Sequence, residues 1–166
     1  MTRTQKYSAT ELRRQLNSPS IRALTIRQPW CWLILGGRKD WELRSWDTAY
    51  RGPLLLHAAK KVESLPQEDW EFLRLIDPTG PAISRATGAI VGVVSLERVA
   101  PFTPKILKSM FRKRAILGDN WIKGDELLLA FRLRTLVRLQ KPVDCSGQLG
   151  LWRPTPDALR KVLGQL

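Results

Sequence analysis

The chain has 166 residues, which is the length of one ordinary domain and too short for two. With 43% hydrophobic and 26% charged residues it has the composition of a folded globular protein, which excludes an intrinsically disordered chain. Its 28 Lys and Arg against 15 Asp and Glu give a formal net charge of +13, more than solubility requires, and this favours a polyanionic partner such as nucleic acid.

The first predicted element is a short helix over residues 8–16. Ser8 followed by Glu11 has the spacing of a capping box, in which each side chain accepts a hydrogen bond from a backbone amide at the start of a helix. Two leucines at helical spacing give only a narrow apolar stripe. We therefore treat residues 1–20 as an N-terminal extension that carries this helix.

A strand, a helix and a second strand follow over residues 24–44. The first strand covers residues 24–27. The helix begins at Pro29, which suits a first helical turn, and ends at Gly36 and Gly37. This helix is apolar on all sides, so it should be buried. Residues 40–44 alternate in polarity, which predicts the second strand.

The middle of the chain alternates between apolar strands and charged helices. Residues 53–58 form an apolar run after a turn, which predicts a strand. Residues 64–76 predict an acidic amphipathic helix, and residues 89–99 predict a long strand. Residues 104–111 predict a short basic helix.

The last strands and helix complete an α+β pattern. Residues 127–139 predict a long strand, and residues 148–152 a final one. Residues 154–166 predict a C-terminal helix that Thr155 caps. Strands separated by single helices indicate a mostly antiparallel sheet that closes into a small β-barrel with flanking helices. Even spacing within the long strand predicts one face for three arginines, namely Arg132, Arg134 and Arg138.

Charge is unevenly distributed along the sequence. Residues 98–141 hold eleven basic side chains against three acidic ones, whereas residues 63–77 hold five acidic side chains against one arginine. A dense group of cations within the basic segment is a candidate phosphate track. This track contains Lys105, Lys108, Arg112, Lys113, Arg114 and Lys123.

Cysteine usage and apolar runs restrict the compartment and the chemistry. Cys31 and Cys145 lack a second cysteine or a histidine at metal-ligand spacing, so no metal site and no cofactor are predicted. Cys31 lies in an apolar run and should be a buried thiol, as in a reducing compartment. No secretory signal or membrane-spanning run is visible, and a soluble, cytoplasmic protein is expected.

Residues 37–44 carry the most specific motif of the sequence. Gly37, Lys39, Glu42 and Arg44 have the spacing G-x-K-x-x-E-x-R. The flanking motifs, in chain order, are Gln28-Pro29-Trp30, Ser45-Trp46, Arg51-Gly52 and Ala58-Ala59-Lys60-Lys61. In this order they resemble the ASCH (activating signal cointegrator homology) family, and the resemblance extends over about residues 21–153.

The resemblance implies a PUA-like fold, in which a small β-barrel and its helices flank a cleft. It also implies a nucleic-acid partner, with RNA favoured over DNA, because PUA-like domains bind RNA. Some small members of the family resemble amidohydrolases that act on acylated nucleosides. A nucleoside or nucleotide is therefore a second class of ligand.

A strand over residues 40–44 would arrange the motif around a site. Trp41 and Leu43 should then face one side, while Glu42 and Arg44 face the other and Lys39 lies at the entering turn. A carboxylate between two cations can orient both, and the Arg44 guanidinium can bind a phosphate or a base edge with two hydrogen bonds. The structural alternative is an ion pair on a solvated strand.

The remaining candidate residues are aromatic or basic. Four tryptophans lie within 17 residues; burial is expected for Trp32 and Trp41, and a base-stacking position in the cleft for Trp30 or Trp46. The basic residues Arg51, Lys60 and Lys61 are candidate phosphate contacts. The lone histidine, His57, lies in an apolar strand and is expected to be a packed, hydrogen-bonded residue.

Two functions from different classes remain open, and whether the chain catalyses a reaction is not decided. The first is a binding module that holds single-stranded nucleic acid in a cleft lined by Lys39, Glu42 and Arg44. The second is a hydrolase that deacylates nucleosides or cleaves RNA, with Lys39 and Glu42 as catalytic candidates. The amidohydrolase-like members carry a Thr near the position of Glu42, and no Thr occurs between Gly37 and Arg44. An adaptor for acidic proteins ranks last, because it leaves the motif without a role.

Overall fold

A computed structural model describes residues 7–76, 86–103, 105–106 and 128–166. Its helices of six or more residues are α1 (Ala9–Leu16), α2 (Trp30–Leu35), α3 (Gln67–Ile76) and α4 (Pro156–Leu163). Its strands are β1 (Arg22–Ile26), β2 (Trp41–Arg44), β3 (Gly52–Ala58), β4 (Ala89–Pro101), β5 (Leu129–Asp144) and β6 (Leu151–Trp152). Each agrees with a predicted element within a few residues, and β5 extends five residues beyond its predicted end.

The six strands form one curled sheet, a half-barrel, in the order β2-β5-β4-β3-β1-β6. Four neighbouring pairs are antiparallel, and β1 and β3 are parallel because the chain leaves β1, forms α2 and β2 at the far edge, and then returns. The edges of the sheet are β2 and β6. The predicted α+β class with a mostly antiparallel, barrel-like sheet is confirmed.

Hydrophobic side chains pack on both faces of the sheet. One cluster, which we call the α2 core, joins α2 to the sheet through residues such as Leu24, Leu54 and Phe131. The other, the α1–α4 core, joins the two terminal helices to the opposite face through residues such as Ala23 and Leu55. Successive strand residues point to opposite faces, which explains why neighbours in β1 and β3 belong to different cores.

The terminal helices cover the sheet and contact each other. The Ser8 hydroxyl accepts a hydrogen bond from the Glu11 amide at 3.1 Å, as the capping pattern predicted, and the Thr155 hydroxyl accepts one from the Ala158 amide at 3.2 Å. Leu16 is fully buried against the sheet. The helix that we assigned to an N-terminal extension therefore contributes to the core, while the boundaries at residues 20 and 154 remain predictions.

Helix α2 is short, and all six of its residues are buried. The Gln28 side-chain oxygen accepts a hydrogen bond from the Trp32 amide at 3.0 Å, which supplies a partner at the start of the helix. At its end, Gly37 adopts a φ of 65°, and the Leu33 carbonyl accepts hydrogen bonds from the amides of Arg38 and Lys39. This tight ending fixes the position from which Lys39 enters the site.

Bulges in the β4–β5 pair correct one prediction from the sequence. The pairing shifts register so that Val94 lies opposite Thr135 while Val93 lies opposite Val137. The extra residue reverses the alternation, so Leu133 belongs to the α2 core whereas Leu139 belongs to the α1–α4 core. Even spacing therefore does not give Arg138 the same face as Arg132 and Arg134.

Two further predictions concern helices. Of the predicted basic helix over residues 104–111, only residues 105–106 are described, and they are helical; the remainder lies outside the described residues. Within the described part of the chain, no helix combines the length and the hydropathy that crossing a membrane requires.

Candidate functional site

A cleft of about 680 Å³ opens where β2 and β1, which are distant in the order of the sheet, face each other. The Arg44 Nη2 atom reaches across it from β2 and donates a hydrogen bond to the Thr25 carbonyl oxygen of β1 at 2.8 Å. Residues 148–150, which lead into β6, form part of the wall. The volume is in the range of small-molecule sites.

Lys39, Glu42 and Arg44 come together in this cleft as one charged group. The Glu42 carboxylate lies between the two cations, with Oε2 2.6 Å from Lys39 Nζ and Oε1 3.2 Å from an Arg44 Nη2 atom. Lys39 Nζ also donates a hydrogen bond to the Trp41 carbonyl oxygen. The structure thus gives the arrangement of one carboxylate between two cations.

Burial dominates the electrostatics of this group. Lys39 is 3% exposed and Glu42 is 8% exposed, whereas the Arg44 side chain keeps 23% of its surface in solvent. Burial lowers the pKa of Lys39 below its ordinary value, and the neighbouring Glu42 carboxylate opposes that shift by stabilising the ammonium form. The positive charge of the Lys39 ammonium group therefore depends on the neighbouring Glu42 carboxylate.

Trp30 and Trp46 both line the cleft. Trp30 is largely buried, and Lys39 Nζ lies 5.9 Å from the centroid of its ring. Trp46 is half-buried and packs edge-on against Phe131, with ring centroids 5.0 Å apart. Trp46 therefore offers more aromatic surface to a ligand than Trp30. Trp32 and Trp41 are buried in the α2 core, where the sequence predicted them.

The structure adds wall residues that sequence reasoning missed. Arg27 and Glu63 form an ion pair at 3.2 Å, and both line the cleft together with Thr25. Leu149 is 99% exposed on the segment before β6 and also borders the cleft. Arg27 stands beside the Gln-Pro-Trp motif, which is a local signal. Glu63 and Leu149 carry no such signal, because only the curling of the sheet brings them to β2.

Among the other predicted basic residues, those that the structure describes do not line the cleft. Arg51 is exposed, and its Nη1 atom donates hydrogen bonds to the carbonyl oxygens of Thr48 and Tyr50 in its own turn. Lys60 and Lys61 are exposed and do not line the cleft. Lys105 is exposed as well. The other members of the predicted phosphate track lie outside the described residues, namely Lys108, Arg112, Lys113, Arg114 and Lys123.

His57 lies beside the cleft wall in a packed position. It is 1% exposed, its Nε2 atom is 3.1 Å from the Cys145 carbonyl oxygen, and its ring packs edge-on against Trp152. A methyl group at Gly147 would approach the imidazole to 2.5 Å, so this glycine is required for the close approach of residues 145–150. Burial lowers the pKa of His57 below its ordinary value.

This burial predicts that stability falls on mild acidification. The unfolded chain binds a proton at the ordinary histidine pKa of 6.5, whereas the folded chain binds it only at lower pH. The unfolding free energy should therefore be constant well above pH 6.5 and decrease as the pH falls through 6.5, with a slope of up to about 1.4 kcal/mol per pH unit until the folded-state pKa is reached. Urea titrations at several pH values measure it.

The control for this experiment is His57→Gln, which keeps a hydrogen-bond donor for the Cys145 carbonyl oxygen but does not titrate. His57 is the only histidine of the chain, so no other imidazole contributes in this pH range. We expect the slope between pH 6.5 and 5 to disappear in this variant. An equal slope in both proteins would contradict the assignment.

Metal and cofactor sites were not predicted from the sequence. Among the described residues, no three His, Cys, Asp or Glu side chains lie close enough together to hold a metal ion. Cys31 is fully buried, and burial raises the pKa of its thiol strongly, so it is held as the neutral, unreactive form.

Comparison with known proteins identifies the family. The sequence model of the ASCH domain matches residues 24–140, which include the whole motif and most of the sheet. The chain belongs to the ASCH domain family. The Lys39–Glu42–Arg44 group lies within the residues that this family model matches. No curated protein matches the chain in sequence.

Solved structures support the fold of this ASCH domain. The ASCH protein of Zymomonas mobilis has 15% identity and a TM-score of 0.56, and the match covers 89% of this chain and 96% of that chain. Crystal structures of two of its mutants have 14% identity each, with TM-scores of 0.56 and 0.55. Each match covers 87% of this chain, and it covers 96% of the first mutant chain and 94% of the second. At this identity the likeness concerns the fold alone.

Proposed function

We propose that this ASCH domain binds single-stranded nucleic acid, RNA in preference to DNA, by accepting one unstacked nucleotide in the cleft. The observation that carries the proposal is the Glu42 carboxylate held between Lys39 and Arg44 on the wall of a cleft that two tryptophans also line. Sequence-specific RNA binding uses single-stranded segments, because their bases can leave the stack and enter such a cleft.

The nearly balanced charge of the cleft lining favours a nucleobase rather than a phosphate as the group that binds beside Glu42. Lys39 and Arg44 share the Glu42 carboxylate, and Arg27 is paired with Glu63, so the lining has nearly balanced charge. A carboxylate among hydrogen-bond donors can recognise the donor and acceptor edge of a nucleobase. The charged side chains that the structure places in the lining account for little of the net charge of +13, and a net positive charge attracts the phosphate backbone without regard to sequence.

The ring of Trp46 supplies the test of this proposal. Stacking of a base on an aromatic side chain contributes about 1–3 kcal/mol, so Trp46→Ala should weaken the binding of a single-stranded oligoribonucleotide about 5- to 150-fold. Fluorescence anisotropy with RNA and DNA oligonucleotides of the same sequence measures both the loss and the preference for RNA.

Two variants control for indirect effects. Trp46→Phe keeps an aromatic face and should retain most of the affinity, and Trp70→Ala removes a half-buried tryptophan of α3 that does not line the cleft. Unfolding temperatures show whether either substitution disturbs the fold. Wild-type affinity in Trp46→Ala, or an equal loss in Trp70→Ala, would refute the stacking role.

One observation favours hydrolysis as a second candidate function. Lys39 is a buried lysine whose pKa is lowered and whose Nζ atom touches a carboxylate, which is a common arrangement for proton transfer. In this function Glu42 accepts a proton from water while Lys39 stabilises the developing negative charge. Incubation with acylated cytidine and with single-stranded RNA tests it. An activity counts only if the Glu42→Gln protein is folded and inert in the same assay.

A further inference from the structure

Three arginines form a second cationic site on the sheet, on the face opposite to the side chains of Phe131 and Leu133. Phe131 and Leu133 point into the α2 core, so the alternate residues of β5, Arg132 and Arg134, leave the sheet on the other side. Arg98 of β4 lies directly opposite Arg132 in the pairing of the two strands. We call Arg98, Arg132 and Arg134 the arginine patch.

Among the described residues, the patch brings three arginines to one carboxylate, that of Glu97. The Glu97 carboxylate has Oε1 2.5 Å from Arg134 Nε and Oε2 3.9 Å from Arg132 Nε. Arg98 is exposed, and no described residue forms an ion pair with it. Because like charges directly opposite each other on neighbouring strands are destabilising, an arrangement with Arg98 beside Arg132 does not serve the stability of the sheet.

The shape of the patch suits a phosphate group. An arginine guanidinium presents a planar set of donors that matches the oxygens of a phosphate, and two adjacent guanidinium groups can bind one or two neighbouring phosphates. Arg132 is oriented by Trp41, whose ring centroid is 5.9 Å from its guanidinium carbon. A side chain held over a ring loses less conformational freedom when it binds.

The patch and the cleft lie on two sides of the same edge strand. Trp41 of β2 pairs with Arg132, and the next residue, Glu42, lines the cleft. Neighbouring strands are about 5 Å apart, and β2 has no strand on its other side in the sheet order. A chain that leaves the cleft can therefore pass over the β2 edge and reach Arg132 and Arg98 without crossing another element of the sheet.

We infer that the arginine patch binds the phosphate backbone of the single-stranded nucleic acid whose nucleotide enters the cleft. This inference rests on the proposed function and adds the path of the strand, from the cleft over β2 to the outer face of β4 and β5. Phosphate contacts of this kind position a nucleic acid and contribute affinity, while the cleft selects the nucleotide.

The test compares two double variants that lose the same charge in the full chain. Arg98→Gln with Arg132→Gln removes two members of the patch but keeps part of each side-chain stem. Arg138→Gln with Lys141→Gln is the matched control, because both residues are exposed and lie on β5 beyond the bulge. Binding of uridine monophosphate and of a twelve-residue oligouridylate is measured over a range of salt concentrations.

The patch variant should bind the oligouridylate at least about tenfold more weakly. Its slope of log affinity against log salt should fall by about 1.4, since each phosphate contact to a single strand contributes about 0.7. Its affinity for uridine monophosphate should be unchanged, because that ligand fits within the cleft. The control variant should retain the wild-type slope. The single substitution Arg98→Gln should leave the unfolding temperature unchanged or higher.

Each other outcome overturns the inference in a distinguishable way. Equal losses in both double variants would mean that only the net charge matters, and an unchanged slope in the patch variant would remove the patch from the interface. If a polyglutamate of equal length competes with the oligouridylate as well as RNA does, the patch serves an acidic protein instead. If wild-type protein binds oligouridylate but not uridine monophosphate, and Trp46→Ala has no effect, the proposed function fails and the strand path from the cleft fails with it. An unchanged salt slope in the patch variant, with binding of uridine monophosphate intact, overturns the inference alone.

Discussion

Glu42→Ala is expected to destabilise the protein by about 3–5 kcal/mol, because it leaves the ammonium group of Lys39 buried without a counter-charge. This is a large part of the 5–15 kcal/mol that typically separates folded and unfolded states. Chemical denaturation at pH 7 measures the loss.

The pH dependence of this variant distinguishes charge from packing. Without Glu42, the contribution that opposes the burial of Lys39 is lost, and the pKa of Lys39 should fall further below its ordinary value of 10.5. In the folded state Lys39 then releases its proton at a lower pH than in the unfolded chain. The unfolding free energy of Glu42→Ala should accordingly rise with pH up to about 10.5, relative to the wild-type protein.

The double variant Lys39→Met, Glu42→Leu is the matched control. Replacing both members of a buried ion pair with apolar side chains of similar size is often neutral or stabilising. We therefore expect near wild-type stability and loss of nucleotide binding, a combination that a purely structural ion pair would not give. A loss below about 1 kcal/mol in Glu42→Ala, or full nucleotide binding by the double variant, would contradict the role that we assign to this pair.

Phe131→Ala is expected to lower the free energy of unfolding by about 3–5 kcal/mol and to remove a side chain that supports the cleft wall. Phe131 is fully buried in the α2 core, and complete removal of a buried phenylalanine leaves a cavity in addition to the lost burial. The ring lies opposite Glu42 in the β2–β5 pairing and supports the edge of Trp46 at 5.0 Å between centroids. Its loss should therefore reduce nucleotide affinity even under conditions in which the variant remains folded.

The control for this substitution is Phe72→Ala on α3, where the side chain is 36% exposed and belongs to neither core. It removes the same atoms from a position at which solvent already reaches the ring, so the cost should be below about 1 kcal/mol. Calorimetry gives both stabilities, and binding is measured below the lower unfolding temperature. Comparable losses in the two variants would mean that Phe131 is not a specific support of the site.

Sequence reasoning predicted most elements, and it predicted part of the site. The strand over residues 40–44 and the glycine turn before it are local features, so the neighbourhood of Lys39, Glu42 and Arg44 followed from alternation and spacing. The burial of Trp32 and Trp41 was also predicted correctly. The deep burial of Lys39 was not predicted. It depends on how α2, including Trp30, packs against the site, and the alternation of residues along a strand does not reveal that packing.

The sequence by itself determined the family, the α+β class and the chemical character of the motif, because periodicity, turn residues and motif spacing are properties of neighbouring residues. The tertiary structure decided which surfaces meet. Strand order, the bulges that separate Arg138 from Arg132, and the approach of β1 and residues 148–150 to β2 depend on hydrogen bonds between residues far apart in the chain. No local pattern encodes such pairings, since a single inserted residue in one strand exchanges the faces of every residue that follows it.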